Sequence, residues 1–357
     1  MNGEFQLGDR WVGNGHPTYF IADIAANHDG DADRAKKLIR LAAEAGVDAV
    51  KFQHFEAATL VSDFGFKALG QQGTHQAQWE KSVYEMYAAA SVPADWAHEL
   101  KGVSDEVGVH FFSTPYSLSA VDLLDSVGVL AHKIGSGDIT WPEIIRRVGK
   151  SGKPVFIATG ASDLEDVKRA MDVLMAENAR ICLMQCNTNY TGSAENFAHI
   201  HLNVIETYAQ TWPGAVTGLS DHTLGHATTL GAVALGARAI EKHFTDDRNR
   251  TGSDHPFSME PQEWREMIDR TRELEAALGH SRKVVAANEQ ETMVVQRRCL
   301  RAKMALPVGT ILKAEQFVPL RPAPTGSVLP FELENISGRT LNRNLEVGQH
   351  LASDDFS

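Results

Sequence analysis

The sequence predicts a (β/α)8 barrel followed by a small β-rich domain, and two observations carry this prediction. Short apolar runs alternate with amphipathic stretches, and the alternation recurs eight times before residue 283. After that point it stops, and short apolar runs are separated by turn signals that contain Pro and Gly. Eight βα units in roughly 280 residues suit a barrel, which typically needs ~250 residues and tolerates insertions. A doubly wound parallel sheet is the alternative architecture.

The apolar runs have the character of strands that are buried on both faces. Each run is short and rich in β-branched or aromatic residues, which is typical of parallel sheets. The eight predicted strands are Tyr19 to Ala26, Ala49 to Gln53, Val109 to Ser113, Leu130 to Gly135, Val155 to Thr159, Ile181 to Cys186, Ala215 to Leu219 and Ala237 to Phe244.

The segment between the first two runs predicts an amphipathic helix from Asp31 to Ala45. Asp31 is suited to accept hydrogen bonds from the first turn, and Gly46 is suited to end the helix. An apolar stripe at helical spacing predicts the face that packs on the barrel. The stripe consists of Ala35, Leu38, Ile39 and Ala42.

Most apolar runs end in polar side chains, which a barrel brings together on its C-terminal rim, where active sites of this fold lie. Lys51 and Lys133 are the most informative, because a lysine inside an apolar strand bears a large desolvation cost unless it meets an anion. Two such lysines on one rim predict a bound phosphate or carboxylate. The polar strand ends are Asp23 and Asn27, Lys51 and Gln53, Ser113 and Thr114, Lys133 and Ser136, Thr159, Asn187, Ser220 with His222, and Glu241 with His243.

Two histidines at the ends of consecutive strands, His222 and His243, predict a divalent metal site. If these strands are parallel neighbours, the imidazoles emerge on one rim and leave the rest of the coordination shell open to water and substrate. Asp221 and Glu241 lie beside them in the sequence. We interpret these carboxylates either as groups that orient the rim histidines or lysines, or as catalytic groups.

The composition is that of a metabolic enzyme, with 357 residues of which 43% are hydrophobic and 22% charged. A formal net charge of −12 without a long basic run argues against nucleic acid or an anionic membrane as a partner. The sequence has no N-terminal signal pattern and no apolar window of membrane-spanning length, so we expect a cytoplasmic protein. Cys182, Cys186 and Cys299 are an odd number of thiols and are expected to be reduced.

The change in pattern near residue 283 predicts the domain organisation. We assign residues 1–283 to the barrel, 284–293 to a polar linker and 294–357 to the β-rich domain. The core of the last segment is thin, so it is expected to depend on a barrel for stability.

Six motifs spread over most of the chain resemble the N-acetylneuraminate synthase family, and the C-terminal segment, including Leu320-Arg321-Pro322, resembles its antifreeze-like (SAF) domain. The two motifs that contain His222 and His243 are highly specific as a pair. The motifs are Ile21-Ala22-Asp23-Ile24-Ala25-Ala26-Asn27-His28-Asp29-Gly30, Val50-Lys51-Phe52-Gln53, Phe112-Ser113-Thr114-Pro115, Lys133-Ile134-Gly135-Ser136-Gly137, Gly218-Leu219-Ser220-Asp221-His222-Thr223 and Glu241-Lys242-His243-Phe244-Thr245.

The resemblance implies a domain-swapped homodimer that condenses phosphoenolpyruvate with an open-chain N-acetylmannosamine-type aldose. The products are a nine-carbon 2-keto acid and phosphate, released by C–O cleavage. It also implies that Mn2+, or Mg2+ or Co2+ in its place, is bound by His222 and His243 and polarises the aldehyde.

The resemblance also assigns roles to residues of this chain. Phosphoenolpyruvate is held by Lys51, Thr114, Lys133, Ser136 and Ser220, and Arg321 reaches the N-acetyl group from the partner subunit. The implied catalytic residues are Asp23, Lys51, Lys133 and Glu241. The implied substrate-binding residues are Gln53, Thr114, Ser136, Asp138, Asn189, Tyr190, Ser220, Asp254 and Arg321.

Several positions depart from the family pattern. Asp23 stands where the family usually has glutamate, and Asp138 stands where the sialic acid synthases of the family have glutamate. Each side chain is therefore one methylene shorter than a glutamate. Catalysis is sensitive to displacements on about the 1 Å scale, yet we expect activity to be retained with Asp23 as the base. Thr191 and Ser253 replace common prolines, which affects substrate detail more than reaction class.

Two other functions remain alternatives. A Schiff-base aldolase could use Lys51 or Lys133 as its nucleophile, and a sugar-binding relative could lack catalysis because its carboxylates are shortened. The aldose is also open between N-acetylmannosamine, a 2,4-diacetamido-2,4,6-trideoxyhexose of the legionaminic or pseudaminic type, and a non-acetylated hexose. We expect this choice to depend on the segment from Phe55 to Val92 and on contacts across the dimer.

Overall fold

The computed structural model describes residues 3–69, 81–178 and 180–357. Its contacts divide the chain into two compact units, the first ending at Gly279 and the second running from His280 to Ser357. The sequence analysis placed this boundary at residue 283, so the observed division falls slightly earlier. The residues predicted as a linker, 284–293, belong to the second unit in this division.

The eight predicted strands are confirmed as a closed parallel barrel in the first unit, and an N-terminal antiparallel hairpin precedes it. The doubly wound alternative is wrong, because the eighth barrel strand pairs with the first along its length. The strands are β1 (Glu4–Leu7), β2 (Arg10–Gly13), β3 (Tyr19–Asp23), β4 (Ala49–His54), β5 (His110–Pro115), β6 (His132–Ile134), β7 (Val155–Ala158), β8 (Ile181–Cys186), β9 (Val216–Asp221) and β10 (Ala239–His243). The barrel order is β10-β3-β4-β5-β6-β7-β8-β9.

Helices follow the barrel strands. None of the helices in the described part of the chain is long and apolar enough to cross a bilayer. The helices of the first unit are α1 (Ala32–Ala45), α2 (Ala57–Leu60), α3 (Asp63–Leu69), α4 (Val83–Ala90), α5 (Trp96–Glu106), α6 (Leu118–Val127), α7 (Pro142–Gly149), α8 (Leu164–Met175), α9 (Val204–Thr211), α10 (Ala227–Ala234) and α11 (Pro261–Leu278).

Helix α1 forms for the reasons that the sequence indicates. The Asp31 side chain accepts hydrogen bonds from the backbone N–H groups of Asp33 and Arg34, which have no partner inside the helix. Gly46 ends the helix in the left-handed region, with φ of 91°, where glycine avoids the cost that other residues bear. The predicted apolar stripe is confirmed, because all four of its residues are buried.

The register of the parallel strands brings polar side chains to one end of the barrel. Asp23 lies opposite Lys51 in the β3–β4 pair and opposite His243 in the β10–β3 pair. Glu241 lies opposite Ser220 in the β10–β9 pair. Since successive side chains on a strand point to opposite faces, residues at alternate positions share the inside of the barrel.

A second set of buried charges lies on the outward face of the same strands. Lys242 donates to Asp221 at 2.6 Å, and Thr228 and Thr223 donate to the same carboxylate at 2.6 and 2.8 Å. Burial raises the pKa of Asp221, but the Lys242 charge and these hydrogen bonds outweigh burial and lower it. This ion pair joins β9 to β10 beneath α10.

The second unit has its own small core. Its elements are α12 (Gln290–Gln296), β11 (Cys299–Ala302), β12 (Phe317–Leu320) and α13 (Leu333–Ile336), with β11 and β12 antiparallel. A small β-rich domain is therefore confirmed, while its likeness to an SAF domain stays a prediction. The buried apolar cluster consists of Leu300, Ala302, Leu306, Leu312, Phe317, Val328, Ile336, Leu341, Leu345 and Leu351.

Removing the cation of the outward ion pair should destabilise the barrel. We expect Lys242→Met to lower the free energy of unfolding by about 3 to 5 kcal/mol, because it leaves the Asp221 carboxylate buried without a charged partner. The matched control is Lys101→Met, which breaks a more exposed pair with Asp105 and should cost less than about 1 kcal/mol. Urea denaturation followed by circular dichroism measures both, and equal losses would contradict this interpretation.

Candidate active site

Two adjoining cavities open at the carboxyl ends of the barrel strands. The inner cavity, of about 70 Å3, lies within the barrel mouth, and the outer cavity, of about 440 Å3, lies above it. Both are bordered by Gln53, Tyr116, Gly137, Tyr190 and His243. The inner cavity is also lined by Asp23, Lys51, Thr114, Lys133, Gly135, Ser136, Ala158, Cys186, Ser220, His222 and Glu241.

Asp23 and Lys51 form a buried ion pair at the base of the inner cavity. The Lys51 Nζ atom lies 2.7 Å from Asp23 Oδ2 and 3.4 Å from Thr114 Oγ1, and Gln53 donates to the same Asp23 oxygen at 3.0 Å. Each member of the pair is only 2% exposed. The Asp23 carboxylate is therefore an anion that offsets the cost of burying Lys51 within an apolar strand.

Opposite charges keep both members of this pair ionised. Burial raises the pKa of Asp23, but the charges of Lys51 and His243 and the hydrogen bonds from Lys51 and Gln53 outweigh burial and lower it. Burial lowers the pKa of Lys51, but the charges of Asp23 and Glu241 outweigh burial and raise it. The inner cavity thus presents an ammonium and a carboxylate at neutral pH.

Glu241 connects the second rim lysine to the first. Its Oε1 atom lies 3.2 Å from Lys133 Nζ and 3.9 Å from Lys51 Nζ, and it accepts a hydrogen bond from Ser220 at 3.1 Å. Its other oxygen, Oε2, is buried and has no hydrogen-bond partner among the described residues. A buried acceptor without a donor is costly, so this oxygen marks a position where a ligand hydroxyl or a water fits.

His222 and His243 lie side by side, with ring centroids 5.3 Å apart. The His222 Nδ1–H group donates to the Asn187 carbonyl at 2.8 Å, which leaves Nε2 as the unprotonated nitrogen of the neutral ring. His243 Nδ1 is buried without a hydrogen-bond partner among the described residues. Burial lowers the pKa of His243 and favours the neutral ring that metal ligation needs.

The donor set fits a divalent ion only as an open site. No group of three or more His, Cys, Asp or Glu side chains has metal-binding geometry in the part of the chain that the structure describes. Two imidazoles therefore stand alone as nitrogen ligands, and oxygen ligands would come from water or substrate. Burial lowers the pKa of His222, but a hydrogen bond with Cys186 and the charge of Cys186 outweigh burial and raise the pKa. A metal ion would therefore compete with a proton for the His222 ring.

The outer cavity combines two carboxylates with an apolar wall. Asp138 and Asp254 line it, together with aromatic and aliphatic side chains from α2 to α4 and the segments beside them. Residues 70–80 of the predicted specificity segment lie outside the described residues. The remaining lining residues are Ala26, Phe55, Leu60, Val61, Phe66, Met86, Tyr87, Ala90 and Ser253.

The loop that carries Asp254 is anchored to the loop after β3. The His255 ring bridges Thr245 Oγ1 at 2.8 Å and Asp29 Oδ1 at 2.9 Å, and Arg250 donates to Asp29 at 2.8 Å. Asp254 Oδ2 accepts from the Ala26 N–H group at 3.2 Å and lies 3.8 Å from the nearer nitrogen of His243. This network fixes Asp254 where the two cavities meet.

Most of the predicted site residues come together on the rim, but two do not line either cavity. Asn189 is exposed, and its side-chain oxygen accepts from Thr191 within the same loop. Arg321 is exposed in the second unit, just after β12. Asp221 orients a lysine, but the lysine is Lys242 on the outward face and not a rim residue. The substrate roles of Asn189 and Arg321 stay predictions.

Sequence reasoning missed two polar side chains of the inner cavity, Tyr116 and Cys186. Tyr116 follows β5 directly, and its hydroxyl would lie 3.1 Å from a Cβ at residue 135, which makes a larger residue there a tight fit. Cys186 was interpreted as a core thiol; it is free and buried as expected, but it also lines the cavity. Its place at the end of β8, two residues after the inward-facing Met184, was the available signal.

A closed parallel barrel with buried, paired charges and two histidines on its C-terminal rim defines a TIM-barrel enzyme. A family model described as the NeuB family matches residues 38–283. The chain belongs to this family, and the predicted resemblance to N-acetylneuraminate synthases is confirmed.

Relatives of known name are similar over nearly the whole chain. N-acetylneuraminate-9-phosphate synthase of Homo sapiens is 34% identical over 92% of this chain and 90% of that protein. N,N'-diacetyllegionaminic acid synthase of Legionella pneumophila is 34% identical over 95% of this chain and 94% of that protein. Among solved structures, the N-acetylneuraminic acid synthetase of Leptospira borgpetersenii has a TM-score of 0.71 at 28% identity, covering 82% of this chain and 96% of that one.

Asp138 should give the protein a measurable pH dependence of stability. Burial raises the pKa of Asp138 from 3.8 to about 6, and its Oδ2 atom has no partner among the described residues. The folded state therefore holds the proton more tightly than the unfolded state, and stability falls as pH rises from about 4 to 6. Asp138→Asn should remove this fall. As the pH rises from 4 to 8, the free energy of unfolding of the variant should therefore increase by on the order of 2 kcal/mol relative to that of the unsubstituted protein.

Urea unfolding at both pH values measures this difference. Asp172→Asn, at an exposed position on α8, is the matched control and should leave the pH dependence unchanged. An unchanged fall in stability for Asp138→Asn would show that another group causes it.

Proposed function

We propose that this protein is a nonulosonic (sialic-type) acid synthase that condenses phosphoenolpyruvate with an N-acetylmannosamine-type aldose. The products are a nine-carbon 2-keto acid and phosphate. One observation carries the proposal: a small cavity with two lysines adjoins a larger one with carboxylates and apolar walls, at His243 and Gln53. The family membership supports the same reaction class.

The inner cavity suits phosphoenolpyruvate. Lys51 and Lys133 are cations for its phosphate and carboxylate groups, and their attraction is strong because both lie in a buried site. Thr114, Ser136 and Ser220 supply hydroxyl donors on the same walls. Asp23 and Glu241 offset part of the lysine charge when the cavity holds no anion.

His222 and His243 would hold a divalent ion, Mn2+ or in its place Mg2+ or Co2+. When bound, such an ion supplies Lewis-acid polarisation of the aldehyde oxygen. The neutral His243 ring and the His222 ring would be the nitrogen ligands for it. Tyr190, whose ring centroid lies 4.3 Å from that of His222, shields the same side of the site.

The proposed reaction forms one carbon–carbon bond and breaks one carbon–oxygen bond. C3 of phosphoenolpyruvate attacks the aldehyde carbon, and the aldehyde oxygen becomes a hydroxyl by taking a proton. Water adds at C2, and the tetrahedral centre then loses a proton and expels phosphate, which leaves the 2-keto group. Asp23 acts as the base for this water, since its carboxylate is ionised and held by Lys51 and Gln53.

The Schiff-base alternative is less compatible with the site. An amine nucleophile must be unprotonated, whereas the charges of Asp23 and Glu241 outweigh burial and raise the pKa of Lys51. The non-catalytic alternative rested on the shortened arms of two carboxylates, Asp138 and Asp23, and the Asp23 arm is the one that reaches the inner cavity. That carboxylate nevertheless contacts Lys51 and lies 3.6 Å from His243 Nε2, so the shorter arm still reaches the centre of the site.

We also propose that the enzyme works as a domain-swapped homodimer in which Arg321 from a second subunit contacts the acyl group of the sugar. Arg321 is exposed in the second unit, as such a contact requires.

The proposed reaction is tested by phosphate release from phosphoenolpyruvate, with Mn2+ and a panel of N-acetylated, diacetylated and non-acetylated aldoses. We expect release with an acylated aldose, its loss on chelation, and at least a ~100-fold lower rate for His222→Ala. Release without metal would contradict the metal role. Covalent labelling by borohydride with pyruvate would instead favour the aldolase.

The proposed base is tested by two substitutions of Asp23. Asp23→Asn should lower kcat by roughly 100-fold or more because the amide cannot accept the proton. Asp23→Glu keeps the charge and should retain more activity than the amide. Circular dichroism checks that both variants fold, and wild-type turnover by Asp23→Asn would exclude the assigned role.

A further inference from the structure

The outer cavity contains acidic groups and neither lysine nor arginine among its described lining residues. Its carboxylates are Asp138 and Asp254, and its other polar groups are amide, hydroxyl and imidazole groups. The described wall of the outer cavity therefore offers an anion no lysine or arginine partner.

Lys81, before α4, is exposed and does not line the outer cavity, and three further cations near this region pair with carboxylates. Lys67 on α3 points to solvent, with its side chain 68% exposed, and pairs with Asp63 at 2.6 Å. Arg250, in the loop that carries Asp254, donates to Asp29. Lys51, beneath the outer cavity, is held by Asp23. Each of these three would have to leave a carboxylate in order to reach an anion in the outer cavity.

Part of the wall of the outer cavity is apolar. This part consists of Phe55, Leu60, Val61, Phe66 and Met86, whose side chains cannot hydrogen-bond to an anion. A phosphate group moved from water to such a wall loses its hydration and gains no charged donor. An uncharged sugar bears no such cost, and its carbon atoms and acyl methyl groups can pack on the same surface.

We propose that the acceptor is an uncharged, acylated aldose, and that a sugar phosphorylated at the end remote from the aldehyde is rejected. This inference rests on the proposed function, because it names the acceptor of that reaction. The relatives leave the question open, since the human protein is named for a 9-phosphate product and the Legionella protein is not. The cavity rejects the phosphorylated sugar because the phosphate charge has no cationic partner there, and not because the sugar is too large.

The test compares N-acetylmannosamine with its 6-phosphate, which differ only in the phosphate group. We expect kcat/KM for phosphate release from phosphoenolpyruvate to be roughly 100-fold or more lower with the phosphorylated sugar. The assay must separate phosphate released from phosphoenolpyruvate from the sugar phosphate, so formation of the 2-keto acid is measured in parallel. Calorimetry of each sugar with the full-length protein provides a second measurement.

Two residues on α3 give a matched pair of variants. Phe66 lines the outer cavity, whereas Phe64 is 83% exposed and does not line it. Phe66→Lys supplies the missing cation and should raise the ratio of phosphorylated to unphosphorylated acceptor activity by about 10-fold. Phe64→Lys adds the same charge outside the cavity and should leave the ratio unchanged.

The outcomes separate the inference from the proposed function. Turnover of both sugars with a preference for the 6-phosphate would overturn the inference alone. If Arg321→Ala then abolished that preference, the cation would come from the second unit. Release with neither sugar, together with no binding of either by calorimetry, would overturn the inference and count against the proposed function.

Discussion

Closure of the barrel is the constraint on which the site depends. The pairing of β10 with β3 sets His243 against Asp23, although the two residues are far apart in the chain. The neighbouring β3–β4 pairing then sets Asp23 against Lys51. A parallel register fixes these neighbours to within one residue, because a slip by one position would turn every inward side chain outward. The same hydrogen bonds that hold the barrel therefore assemble the charged groups of the candidate site.

Two sets of buried charges that involve β10 have different consequences. Outside the barrel, Asp221 and Lys242 satisfy one another among threonine hydroxyls and leave no capacity for a ligand. Inside it, Lys133 and Glu241 are less completely paired, and one Glu241 oxygen lacks a partner among the described residues. Neighbouring positions on one strand thus differ in function because successive side chains face opposite environments.

The sequence was sufficient to predict the barrel and most of the rim, because strand ends carry their polar residues in a regular pattern. Lys51 and His243 were identifiable for this reason alone. The outer cavity was less predictable, since Phe66 and Met86 come from helices whose packing has no periodic signal. Asn189 and Asp221 show the converse difficulty. A polar residue in a motif can be satisfied by its own loop or by the opposite face of a strand, and spacing does not distinguish these environments.

The apolar side chains that line the outer cavity come largely from one excursion of the chain, between β4 and α5, that contains α2, α3 and α4. The lysines, histidines and buried carboxylates of the inner cavity lie on or directly after barrel strands. Divergence among relatives can therefore proceed by replacing the excursion while the strands are retained. Under the proposed function, grafting this excursion between homologues would transfer the choice of acceptor while the residues of the inner cavity stay in place.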